Sequence, residues 1–155
     1  MNLPRNRWLI AGGWLSVAAS LLHLACIVGG PDWYRFFGAG EPIARAAERG
    51  SWIPALLTIG IAALLAICAA YAFSGAGMIR RLPLLRTGLV VISGVYLARG
   101  LVIFYPAVMM RPDLSWNFMF WSSLIVLVYG IVYAVGTCTA WPRFGHRKDI
   151  NALGS

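Results

Sequence analysis

Four long apolar runs set the pattern of this chain, at 8–29, 52–73, 87–105 and 117–140, with short polar or aromatic stretches between them. At a helical rise of ~1.5 Å per residue each run reaches roughly 28–36 Å, enough to cross a hydrocarbon core ~30 Å thick. The pattern predicts an all-α fold, an integral membrane bundle of four transmembrane helices forming one domain over 1–155. A basic leader with Arg5 and Arg7 precedes the first run. A signal peptide also begins that way, but this run is long for one, so a retained first span is expected.

The interruptions carry information of their own. The stretch 30–51 reads GPDWYRFFGAGEPIARAAERGS. Its cluster of Trp33, Tyr34, Phe36 and Phe37 suits a membrane–water interface. Pro42 fits a helix start and Gly50 a helix end, which predicts a short surface helix over 42–49. The stretch 106–116 is a second, shorter aromatic-edged loop. Inside the spans, Ala62, Ala66 and Ala70, then Gly88, Gly94 and Gly100, then Gly130 with Ala134 offer points of close helix approach.

Composition agrees with this pattern. Hydrophobic residues make up 60% of the chain and charged ones 12%, about half the charged share of a soluble domain. The net charge of +8 would suggest nucleic acid in a soluble protein. Here the arginines gather at the ends of apolar runs, so topology explains them and no nucleic acid is expected. Arg5, Arg7, Arg80, Arg81, Arg86, Arg143, Arg147 and Lys148 face only Asp149 in the leader, middle loop and tail. Arg35, Arg45, Arg49 and Arg111 are balanced by Asp32, Glu41, Glu48 and Asp113 in the other two loops. The excess of Lys and Arg predicts both termini and the middle loop in the cytoplasm, for a multi-pass protein of the bacterial inner membrane.

One residue breaks the apolar pattern most sharply. Arg99 lies within the third run, where an ionised side chain costs about 2.5–3.5 kcal/mol at the centre of a span and calls for a partner or a wet cavity. Counting inward from the outer ends, Arg99, His23, Thr58 and Ser123 each sit ~10 Å deep, and Tyr96 lies one turn below Arg99. The shared depth predicts a polar pocket in the outer half of the bilayer. Arg99 supplies a fixed positive charge and His23 an imidazole able to take up or release a proton. Asp32, Glu41 or Asp113 are candidate counter-ions from the loops. The bland alternative is an Arg99 that snorkels to the interface or pairs with a loop acid to hold the bundle.

Chemistry beyond binding has little to stand on. Cys26, Cys68 and Cys138 occupy three different runs without metal spacing, and read as small packing residues. No HExxH, GxSxG or Walker loop is present, and neither cofactor nor metal is expected. The run HLACIVGGPDWYRFFGAGE, with RRLPLLRTGLV opening the second hairpin, resembles small four-span bacterial inner-membrane proteins of unknown function. The resemblance spans most of the chain and implies no activity. Each hairpin also carries a Pro-Asp pair after its outward-running helix (Pro31-Asp32, Pro112-Asp113), a faint 2+2 echo. The sequence thus points to a protein that binds a membrane lipid or a small anionic or amphipathic ligand, alone or as an accessory subunit. Two alternatives stay open. One is a lipid- or sterol-modifying enzyme using His23 and a loop carboxylate. The other is a scaffold that meets a protein partner or a second copy of itself through its small-residue faces.

Overall fold

The computed structural model describes residues 5–105 and 116–144. Among these residues the fold is all-helical: α1 (Arg7–Phe36), α2 (Glu41–Glu48), α3 (Ile53–Gly75), α4 (Leu85–Leu101) and α5 (Trp116–Ala140). Short 3-10 turns follow α4 at Val102–Phe104 and α5 at Trp141–Phe144. Four segments are long and apolar enough to cross a membrane: Arg7–Phe36, Ile53–Gly75, Leu85–Phe104 and Trp116–Ala140. Large apolar side chains such as Val28, Leu64, Val95 and Trp121 stand on their outer surfaces, where a soluble bundle would carry charge.

Glycine and proline fix the ends of these helices. Gly30 adopts φ 69°, ψ −154° inside α1, a region that essentially only glycine occupies. Pro31 follows and lacks the N–H that would continue the helical ladder. The crossing segment therefore stops at Gly29, where the apolar run ends, and a further helical stretch leads to Phe36. Gly38, Gly50 and Gly77 take positive φ just past the ends of α1, α2 and α3. Each closes a Schellman motif. At Gly50, for example, its own N–H donates to the Ala47 carbonyl and that of Ser51 to the Ala46 carbonyl, both at 3.0 Å. The surface helix expected over 42–49 is thus present one residue earlier, with Pro42 in its first turn.

The spans run up, down, up, down. α1 packs mainly on α3, and α4 mainly on α5, while α1–α5 and α3–α4 contacts join the two hairpins. The start of α1 meets the end of α5, where buried Asn6 donates from Nδ2 to the Gly136 carbonyl (2.8 Å) and to Thr139 Oγ1 (3.0 Å). The same side chain caps α1 by accepting from the N–H groups of Trp8 and Leu9. Leu9, Ala72, Leu85, Leu89, Tyr133 and Ala140 form the core at this end.

Small residues permit the close crossings. A Cβ on Gly100 would lie 2.5 Å from Leu127 Cα, and one on Gly130 2.8 Å from Leu97 N, so α4 and α5 touch backbone to backbone. Gly88 similarly sits beneath the Tyr71 ring. Gly94 faces open space, and Ala66 is exposed whereas Ala62, Ala69 and Ala72 are buried. The packed face of α3 is therefore rotated away from the Ala62–Ala66–Ala70 stripe.

Candidate functional site

The residues expected at one depth divide into three settings. Arg99 lies in the last turn of α4 and donates from Nη1 to Ser123 Oγ on α5 at 2.9 Å. Ser123 is fully buried at the interface between the two helices. Among the described residues no ion pair involves Arg99. Its guanidinium has five N–H donors in a planar fork, and among the described residues one of them is aimed at Ser123.

Thr58 and His23 lie elsewhere in the bundle. Thr58 donates to the Pro54 carbonyl one turn back (2.7 Å) and faces the hydroxyl of Tyr34 at 3.4 Å. Half-buried His23 meets the Ala19 carbonyl through Nδ1 at 2.8 Å. A carbonyl only accepts, so Nδ1 carries the proton and Nε2 is the nitrogen left for other contacts. The histidine is satisfied by its own helix, and no bond links it to Arg99.

The loop acids have gone to a different arginine. Arg35, just past the bend in α1, donates from Nε to Glu41 (3.0 Å) and from Nη2 to Glu48 (2.7 Å), and lies 3.5 Å from Asp32. Arg45 adds a second contact to Glu41 at 2.9 Å. The Arg35 and then the Arg45 hydrogen bonds hold the Glu41 carboxyl down at about 2, and the two glutamates raise Arg35 further above its ordinary value. This network ties α2 across the end of α1. Cys26, Tyr34 and Ala44 form a small apolar cluster underneath it. Asp113 lies outside the described residues.

Tyr96 belongs to a deeper polar layer that depth counting from the outer ends did not reach. Its ring packs against those of Tyr129 (5.7 Å between centroids) and Tyr133 (5.4 Å). Tyr133 donates to the Cys68 carbonyl on α3 at 3.1 Å, and its oxygen lies 2.7 Å from Ser16 Oγ on α1. Tyr129 donates to the Leu15 carbonyl (2.9 Å), and Ser20 to that of Ala62 (2.8 Å). Tyr129, Tyr133, Ser16 and Ser20 thus hydrogen-bond α1, α3 and α5 to one another where lipid would otherwise leave these hydroxyls unsatisfied, and the Tyr96 ring joins α4 to them by packing. The buried Tyr96 hydroxyl alone lacks a bonding partner among the described residues. The signal for this layer was present in the sequence. Ser16 and Ser20, and Tyr129, Tyr133 and Thr137, recur every four residues on one helix face.

Among protein-family models, curated proteins and solved structures, none matches this chain. Function must therefore be argued from the site itself.

Proposed function

We propose that this is a multi-pass protein of the bacterial inner membrane that binds a lipid or small anionic amphiphile in the outer half of the bilayer, with Arg99 as the anion-binding group. The orientation rests on the arginine excess of the leader, middle loop and tail. The observation that carries the binding role is the state of Arg99: within a span, bonded to Ser123, and in no ion pair among the described residues. A guanidinium at that depth favours an anion with a planar or tetrahedral set of oxygens, such as a carboxylate or phosphate. Ser123 orients one edge of the fork and leaves the other toward the ligand.

A catalytic role for His23 with a loop carboxylate has weaker support. Glu41 is engaged by two arginines and His23 by its own helix. Native mass spectrometry of the detergent-extracted protein, wild type beside Arg99→Ala, tests the proposal. A discrete bound mass in the wild type that disappears in the variant is expected. Identical spectra would make the Arg99–Ser123 bond a staple between α4 and α5 and nothing more.

A further inference from the structure

Just past the Gly30 break the chain borders a cavity of 480 Å³, lined by Asp32, Trp33, Phe36 and Phe37. Its volume falls within the ~300–1,000 Å³ of ordinary small-ligand sites. Three of the four lining side chains are aromatic and the fourth is a carboxylate. Neither Arg99 nor any residue of the tyrosine layer borders it.

The rings are inclined to one another rather than stacked. Phe36 stands nearly perpendicular to Phe37, at 88° with centroids 5.0 Å apart, and Trp33 is tilted 52° to Phe37 at 5.7 Å. Trp33 folds back over α1, where a Cβ on Gly29 would lie 2.1 Å from the indole. Glycine is what lets the ring rest there. Phe36 is still 75% exposed and Trp33 42%. Asp32 meets Arg35 at 3.5 Å, the longest contact of the clasp, with its side chain almost fully exposed. In that clasp three carboxylates, Asp32, Glu41 and Glu48, meet two guanidiniums, Arg35 and Arg45, which leaves one negative charge in excess. Arg49, just past α2, joins none of these pairs among the described residues.

We propose that this aromatic cavity binds the ammonium of a phosphatidylethanolamine headgroup. Aromatic faces carry negative partial charge, and inclined rings around one space attract an organic cation. The excess carboxylate charge of the clasp acts in the same direction, and Asp32 has oxygens to accept the N–H bonds of a primary ammonium. An anion would meet repulsion from Asp32. An acyl chain would take that carboxylate out of water with no bond in return. The lipid source follows from position: Asp32 lies two residues beyond Gly30, where the apolar crossing ends and aromatic side chains sit among headgroups. The inference rests on α1 crossing a bilayer, and not on any ligand at Arg99.

The test titrates the full-length protein in detergent with phosphatidylethanolamine, with phosphatidylglycerol of the same chains and with chain-free phosphoethanolamine, reading apparent Kd from bound mass. Wild type and Arg99→Ala are run side by side, so that binding at Arg99 can be removed from the comparison. In the Arg99→Ala background phosphatidylethanolamine should still bind more tightly than phosphatidylglycerol, and phosphoethanolamine should not compete. In that background Phe36→Leu keeps apolar bulk but removes a ring, and should weaken phosphatidylethanolamine about two- to fivefold, the effect of one exposed cation–π contact. Asp32→Asn should weaken it similarly and decides the matter if the Phe36 variant does not fold. A preference for phosphatidylethanolamine that vanishes with Arg99→Ala would assign that lipid to Arg99 and overturn the proposal. Unchanged affinity in both Phe36→Leu and Asp32→Asn would overturn it too, leaving the rings as an interfacial anchor. Competition by phosphoethanolamine at equal affinity would overturn the lipid assignment. The Arg99 reading fails separately, if phosphatidylglycerol binds wild type and Arg99→Ala alike.

Discussion

The two hairpins of the bundle are similar in length but are held by different physics. The first, α1 and α3, is closed at its tip by α2 and a set of ion pairs centred on Arg35. The second, α4 and α5, is closed along its length by glycine, with Gly100 against Leu127 and Gly130 against Leu97. His23 and Arg99 occupy similar places near the ends of their helices, yet one bonds its own backbone and the other a neighbouring helix. An exposed electrostatic clasp yields to salt and pH, whereas a backbone crossing yields only to bulk.

The largest effect should come from the second hairpin. Gly100→Ala places a Cβ against the Leu127 backbone, which cannot swing aside as a side chain can. Thermal melting in detergent should show a loss of about 1–3 kcal/mol. Gly94→Ala, on the open side of the same helix, should melt like the wild type. Equal melting at the two positions would mean that the crossing at Gly100 does not govern this hairpin, since Gly→Ala by itself favours the helix.

The clasp of the first hairpin should respond locally. Arg35→Gln removes the partner of Glu48 and one of the two partners of Glu41, so backbone amides of Glu41–Glu48 should exchange hydrogen several-fold faster. The bundle itself should melt nearly unchanged, because exposed ion pairs contribute little to global stability. Protection of α2 equal to wild type would assign its docking to the Ala44 cluster alone. The mildest perturbation is pH. Glu41 is depressed in the folded protein from an ordinary 4.5 to about 2 by Arg35 and Arg45. Its contribution is complete above about pH 4.5 and is lost as pH falls through about 2, and exchange in α2 should accelerate only across that window.

How much of this was legible depends on the physical signal. Span positions follow from apolar run length, and helix ends from Gly30, Pro42 and Gly50, because those residues act through their own backbones. The meeting of Arg99 with Ser123 follows from helix rise, which converts sequence distance into depth. Rotation was not legible in the same way. The spans are apolar around most of their circumference, so periodicity does not show that Ala62 packs while Ala66 faces outward. The loop acids went to Arg35 because it lies three and six residues from Asp32 and Glu41, and closing a short loop costs less entropy than reaching across the bundle. The tyrosine layer is harder to see because Tyr129 and Tyr133 lie inside an otherwise apolar run, deeper than the polar set near the outer ends.

The break at Gly30 has a consequence for the surrounding bilayer. A helix that continued smoothly into its aromatic segment could slide up or down to suit a thicker or thinner membrane. Here the crossing portion of α1 ends at a covalently fixed point, about 35 Å from its start, and Asn6 pins that start to α5. The first span is thus a ruler of set length with a stop at each end. A bilayer of unsuitable thickness must then deform around this helix, or tilt the whole bundle with it, so membrane thickness acts on the protein as a unit.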